Sequence, residues 1–502
     1  MLKPASLFTD GAVLCRRKEI RIFGSASGVP AVTVRLISRE GALLGENSAP
    51  VEEGRFLVTL PPQEAQTGCR LVFCAGTELA EAEDVAIGEV FLAGGQSNME
   101  LELRNADEGP ELIRQYQDPL LRFFNVPKIA ISGPEHRQAN DSTRWQAISP
   151  GTGGVNSAVA YFFAAKLRER MPDIPVGIIG CYWGGTSVTC WMDEATLRTD
   201  PEGTRYLEDY AALAGGKSME TWLAEEKQFQ DTFGAWNLTV EKYKHEHPGV
   251  SWDDVVAACG LVPWNPPAGP GSPYRPGGLA ETMVREIIPV TVTAVLFYQG
   301  EEDTTKTDHY DELFTLLIRT WRTWFREEDL PFLFVQLPMW IDSGAADTFL
   351  WPKLRKAQAA VRDAVPGTGM ICLLDQGEYG NIHPTAKRPV GERLAELAGA
   401  MLYGGGELSP RAEGIRPEGN VLAVLLSAPV EIRKDAAPGL LEIAGPDGCY
   451  VPAQAELCGS RRLLLRADGA ERPVHARYAW TDYAAPVSLF GLNGLPLEPF
   501  DF

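Results

Sequence analysis

Val90-Phe-Leu-Ala-Gly-Gly-Gln-Ser-Asn-Met99 is the stretch that decides how this chain folds. Residues 90–93 are apolar and read as a strand; two glycines follow, then Ser97 between Gln96 and Asn98. A strand that ends in a Gly-rich turn and hands over to a helix leaves its turn residue exposed at the carboxyl edge of a sheet, where open α/β sheets bind ligands. A serine hydroxyl there is a weak nucleophile until a base takes its proton, so the question is which histidine can reach it. The chain has six: His136, His245, His247, His309, His383 and His475. Only His383, in Gly380-Asn-Ile-His-Pro-Thr385, lies in a loop that follows an apolar strand (residues 370–374) and precedes a helical stretch. That is the same edge of the same kind of sheet. A serine in a Gly-rich turn is commonly a plain turn or N-cap residue; Ser97 and His383 at matching strand ends together point to nucleophilic catalysis.

Away from this stretch the hydrophobic period divides the chain into three. Residues 1–85 alternate with period two (Val32, Val34, Leu36; Phe56, Val58, Leu60; Leu71, Phe73), with Gly and Pro between the runs, and read as an N-terminal β-sandwich. Residues 86–405 alternate apolar strands (90–93, 176–179, 292–298, 332–337, 370–374) with helical periodicity. The clearest helix puts Leu313, Phe314, Leu317, Ile318 and Trp321 on one face. Such alternation predicts an α/β domain, a parallel sheet with helices on both faces. Within it, residues 193–260 are charged with scattered aromatics (Tyr206, Tyr210, Trp222, Phe229, Trp236, Tyr243) and read as a helical insertion over the catalytic edge. The Pro/Gly run 263–278 carries Trp264, Tyr274 and Arg275 in an irregular loop, either a specificity element or a simple return of the chain. After Gly404-Gly-Gly406 the period returns to two, predicting a C-terminal β module over 406–502.

Composition narrows the partners. The 502 residues carry a formal net charge of -21, which disfavours nucleic acid and anionic membrane surfaces. No run of 18 apolar residues occurs. The opening ten residues have no apolar h-region or cleavage site, so a cytoplasmic protein is expected. Nine scattered cysteines without a C-x-x-C pair fit reduced thiols and no metal-ligand spacing. Nothing in the sequence fixes an oligomeric state.

Gly95-Gln-Ser-Asn-Met99, Trp183-Gly-Gly-Thr186, Tyr298-Gln-Gly-Glu301 and Ile382-His-Pro384 resemble, in order and spacing, the blocks of the sialate O-acetylesterase family, the carbohydrate-esterase branch of the SGNH hydrolases. The resemblance runs from Leu7-Phe-Thr-Asp-Gly11 to Gly494-Leu-Pro-Leu-Glu-Pro-Phe500. It implies an SGNH-type (flavodoxin-like) three-layer domain and a serine esterase that removes O-acetyl groups from a carbohydrate through an acyl-enzyme, without metal or organic cofactor. The substrate would be a small sugar ester, sialic acid or an acetylated oligosaccharide. Ser97 would be the nucleophile and His383 the base. The oxyanion hole would combine the Ser97 N–H, Gly185 (or Gly184) and the Gln299 side chain. Glu301 would orient Gln299, bind a sugar hydroxyl, or merely head a helix; Trp183 and Arg275 would touch substrate. Relatives carry an aspartate shortly before the histidine, where this chain has Gly380 and Asn381. Asn381, Glu378 as an acid substitute, or a backbone carbonyl could orient His383. This departure motivates a second reading, a glycan-binding protein on a catalytically weakened esterase scaffold. Sialate would also need a cation, for which the arginines near the edge are Arg104, Arg275 and Arg388; with a net charge of -21, neutral acetylated sugars such as xylo-oligosaccharides are favoured.

Overall fold

The computed structural model describes residues 1–502 apart from 248, 435, 436, 438 and 439. Six strands form its central parallel sheet: β1 (Glu78–Gly95), β2 (Asp118–Asn125), β3 (Val176–Tyr182), β4 (Ala294–Tyr298), β5 (Phe332–Val335) and β6 (Thr368–Ile371), in the order β2-β3-β1-β4-β5-β6. A short strand, Gln146–Ile148, adds antiparallel at the β2 edge. Every residue of β3, β4 and β5 is buried, which is why they read as unbroken apolar runs. Helix α1 (Ala158–Arg170) packs on α7 (Arg388–Leu402), closely enough that a Cβ on Gly391 would come within 2.6 Å of Phe162 Cβ. Helices α5 (Tyr310–Trp324) and α6 (Leu350–Ala364) form another pair, and α5 buries Leu313, Phe314, Leu317, Ile318 and Trp321 as its period predicts.

Strand β1 is 18 residues long and does two jobs. Its first half pairs antiparallel with Gln66–Ala75, which pairs in turn with Ala31–Ile37. Its second half is the centre of the parallel sheet, ending at Gly95 beside β3 and β4. The boundary expected at residues 85/86 therefore falls inside one continuous strand. A three-stranded sheet (Leu2–Pro4, Ile20–Ala26, Arg55–Leu60) completes the N-terminal β region, burying Ile20, Ile22, Phe56, Val58 and Leu60 in the core shared with the parallel sheet.

Strand β2 was not expected from the sequence. Arg122 interrupts its apolar run, yet the side chain is buried and donates to the carbonyls of Gly11 (2.8 Å) and Asp84 (2.6 Å). Between residues 193 and 260 run α2 (Pro201–Ala214), α3 (Met219–Glu246) and α4 (Trp252–Cys259), each begun by an Asp or Ser side chain that accepts from the first-turn N–H groups. The C-terminal segment forms several small antiparallel sheets around a second core containing Leu422, Val424, Ile443, Leu463, Tyr478 and Leu489.

Candidate active site

At the carboxyl end of β1 the chain must turn at once. Gly95 adopts φ +133°, and a Cβ there would lie 2.0 Å from the Tyr298 carbonyl oxygen, so only glycine fits. Gln96 N–H donates to that same carbonyl (3.0 Å), tying the turn to the end of β4, and Ser97 opens a short helical turn. His383, in the loop after β6, brings Nε2 to 2.8 Å from Ser97 Oγ. Sequence positions 286 apart are joined in a dyad.

Asn98 holds that dyad together. Its amide donates to the carbonyl of Ile382 (3.0 Å), the residue before His383, and to Glu301 Oε1 (2.6 Å), while its oxygen accepts from Lys387 Nζ (2.5 Å). Lys387 and Glu301 are both buried. Desolvation lowers the Lys387 ammonium to about 7 against the pull of Glu301 and Glu378. Desolvation also raises the Glu301 carboxyl, whose Oε2 has no partner among the described residues. Asn98 and Lys387 were missed in the sequence. The signal available was a polar residue directly after the serine and a lysine four positions after the histidine, both in otherwise apolar surroundings.

What orients His383 differs from expectation. Asn381 does not reach the imidazole: its Oδ1 accepts from the His383 backbone N–H (3.0 Å) and its Nδ2 donates to Glu378 Oε2 (2.7 Å). Glu378 is thereby engaged with Asn381 and makes no bond to the ring. Among the described residues nothing hydrogen-bonds His383 Nδ1. Desolvation, and then the Lys387 charge, push the imidazole down to about 4, so it is neutral and able to accept a proton through the physiological range. Asn381→Asp would set a new carboxylate against Glu378 and strain the turn, so it is expected to lower kcat severalfold rather than raise it; steady-state kinetics of the variant decide the sign.

The oxyanion donors also need revision. No group accepts from Ser97 N–H or Gly185 N–H among the described residues, so both are free to bind a developing anion. Gly184 N–H, by contrast, donates to Glu100 Oε2 (2.6 Å). Gly185 takes φ +72°, and a Cβ there would approach Trp264 Cζ2 to 2.5 Å. The Gln299 side chain is not available. Its amide nitrogen is engaged with Asp303 Oδ2 (2.6 Å), Thr186 O (3.1 Å) and Gln96 Oε1 (3.3 Å), and its oxygen accepts from Tyr310 OH (2.9 Å). Gln299 buttresses Gln96, beside the serine, instead of facing substrate. Glu301 likewise faces Asn98 rather than a sugar or Gln299.

Around the dyad lies an aromatic rim. Trp183 is half-buried, with Lys128 Nζ 5.0 Å from its ring centre. Trp264, which is 41% exposed, packs edge-on against Tyr274 (5.6 Å) and against Phe229 and Phe233 of α3 (5.9 and 5.6 Å). The insertion thus positions the 263–278 loop over Gly185. The three candidate cations are already paired: Arg275 with Glu281 (2.7 Å), Arg104 with Glu102 (2.5 Å) and Arg388 with Glu108 (2.7 Å). Glu302, exposed beside Gln96, is raised to about 7 by desolvation and by the Asp303 and Glu301 carboxylates.

A parallel-sheet α/β fold with a serine–histidine pair and two unengaged backbone N–H groups at its carboxyl edge has the parts of a Ser-His hydrolase. The family model "carbohydrate esterase, sialic acid-specific acetylesterase" matches residues 272–399. The chain is similar to the sialate O-acetylesterases of Rattus norvegicus (25% identity; 83% of this chain and 78% of the rat protein) and Homo sapiens (23%; 94% and 87%). A carbohydrate acetylesterase structure from Xanthomonas citri superposes with a TM-score of 0.76 at 28% identity, covering 100% of this chain and 99% of that one. The resemblance to the sialate O-acetylesterase family thus extends from the four motifs to nearly the whole chain.

Proposed function

We propose that this protein is a serine carbohydrate O-acetylesterase. The 2.8 Å contact between His383 Nε2 and Ser97 Oγ, beside the unengaged N–H groups of Ser97 and Gly185, is the observation that carries the reading. His383 removes the hydroxyl proton as Ser97 Oγ adds to the acetyl carbonyl. The oxyanion is held by the two N–H groups, each worth on the order of 3 kcal/mol of barrier. Collapse expels the sugar oxygen, which takes the proton from His383, and leaves acetyl-Ser97 for water to hydrolyse. The fold type we infer is SGNH: without β2, the order β3-β1-β4-β5-β6 is 2-1-3-4-5 in chain sequence, the flavodoxin-like order whose switch point lies between β1 and β4. Ser97 and Gln299 follow those two strands.

One observation favours the second reading, a glycan-binding protein of weakened activity: His383 Nδ1 has no hydrogen-bond partner among the described residues. In the serine-protease triad, replacing the orienting carboxylate costs about 10⁴ in kcat. Reaction with a fluorophosphonate separates the readings. Stoichiometric labelling of Ser97 supports the esterase, and no labelling at any pH leaves only the binding protein.

The paired arginines support neutral acetylated sugars over sialate. Glu302 adds a pH dependence. As pH rises through about 7 its carboxyl ionises and repels an anionic substrate. The ratio of kcat/KM for acetylated sialate to that for a neutral acetylated sugar is therefore expected to fall severalfold between pH 6 and 8, and Glu302→Gln to flatten the fall. A pH-independent ratio in the unaltered protein would exclude Glu302 from the site. We also place the protein in a reducing compartment, a reading supported by nine unpaired cysteines, and thiol titration after denaturation without reductant should find all nine.

A further inference from the structure

At the carboxyl ends of β2 and β3, and bounded by the helical turn that Ser97 opens, lies an open cavity of about 520 Å³ that the proposed chemistry does not use. It falls within the size range of small-molecule sites. Its near wall is Glu100, on the same helical turn as Ser97; this carboxylate accepts from Gly184 N–H and pairs with Lys128. Gly184 lies against the serine, since a Cβ there would be 3.1 Å from Ser97 Cβ. Glu100 and Gly184 thus connect the cavity wall to the nucleophile.

The lining is of two kinds. Val126, Pro127 and Val155 give an apolar strip, of which Val155 is 47% exposed. Beside it stand polar groups already held in place: Tyr182 OH donates to Asn125 Oδ1 (3.0 Å), and Asn125 Nδ2 donates to Asn156 (2.9 Å). A pyranose has this same division, an apolar face of C–H groups and a rim of hydroxyls. The charges are Glu100 and Glu102 against Lys128, so the lining favours a neutral sugar over a uronic or sialic acid.

We propose that this groove is a subsite for the sugar residue linked to the acetylated one, making the preferred substrate a neutral acetylated oligosaccharide rather than a monosaccharide. The inference rests on the esterase reading, and the two can fail separately. The experiment compares p-nitrophenyl acetate, acetylated xylose and acetylated xylotriose in the unaltered protein and in Val155→Arg, whose side chain would fill the groove from an exposed position. Alongside, xylose and xylotriose are titrated against Trp fluorescence, which needs no turnover. The expected result is a kcat/KM at least tenfold higher for the trisaccharide than for the monosaccharide. Val155→Arg should collapse that ratio towards one and weaken xylotriose binding at least fivefold. Equal kcat/KM for the two sugars, or a ratio and an affinity untouched by Val155→Arg, overturns the subsite while hydrolysis of p-nitrophenyl acetate keeps the esterase. Absence of all hydrolysis with xylotriose binding intact and sensitive to Val155→Arg sinks the esterase and leaves the subsite standing.

Discussion

Ser97→Ala is expected to reduce hydrolysis of p-nitrophenyl acetate by at least 10³-fold while moving the melting temperature by less than about 2 °C. The activity loss follows from the roles proposed above. Without Oγ no acetyl-enzyme forms, and His383 Nε2 is left with no hydroxyl to deprotonate. What remains is attack by free water on an ester held by two N–H groups, and in a serine protease such residual catalysis is real but several orders of magnitude weaker. The small stability change follows from the surroundings. The Ser97 side chain is only half-buried, and its hydrogen bond goes to a histidine that keeps a solvent-exposed face. A hydrogen bond of that kind contributes about 1 kcal/mol net. Retention of more than a few per cent of activity would remove Ser97 from the nucleophile role.

Lys387→Met is expected to lower kcat about 100-fold with KM nearly unchanged, and to move the acid limb of the kcat/KM profile upward. Lys387 is buried behind the dyad; it acts through Asn98, which donates to the Ile382 carbonyl and so sets where His383 stands. Removing the ammonium leaves the Asn98 oxygen without its donor in a dry site, a stability cost of about 1–3 kcal/mol. It also frees the His383 loop, and a displacement of about 1 Å at reacting atoms costs on the order of 10² in rate. The sign of the pH effect is separate. His383 works as the neutral base, so activity falls as pH drops through its pKa of about 4. Part of that depression is repulsion by Lys387, after the larger contribution of desolvation. Deleting the cation therefore raises the imidazole pKa and shifts the limb to higher pH. Lys387→Arg should restore part of the kcat and return the limb. A variant that is merely less stable, with its acid limb unmoved, would make Lys387 a packing residue.

Much of the frame was legible because its strands are buried on both faces and so appear as apolar runs without alternation. Five of the six parallel strands have this form. The sixth, β2, was hidden by Arg122, whose charge is satisfied by carbonyls far off in sequence. The pairing of Ser97 with His383 could be read for a related reason. Both sit just past the carboxyl ends of such strands, and that position is a property of topology rather than of side-chain detail. The remainder of the site depends on which way side chains turn, and there the residues mislead. Gln299 ends its strand as a donor to substrate would, but Asp303, four positions on in a helical turn, draws its amide inward. Arg275 sits in the right loop, yet Glu281, six residues later, already holds it. Asn381, two residues before the histidine, turns its oxygen to the backbone N–H of His383 instead of the ring.

The single strand that runs from the N-terminal β region into the parallel sheet makes the serine's platform a beam clamped at both ends. From Val85 to Gly95 it extends roughly 30 Å at about 3.3 Å per residue, with antiparallel partners gripping one end and β3 and β4 the other. Beginning the chain at residue 86 would do more than remove an appendage: it would cut the beam and leave its remaining half cantilevered. The two regions should accordingly melt as one cooperative unit, and neither can be exchanged in evolution or in the laboratory without re-seating the nucleophile.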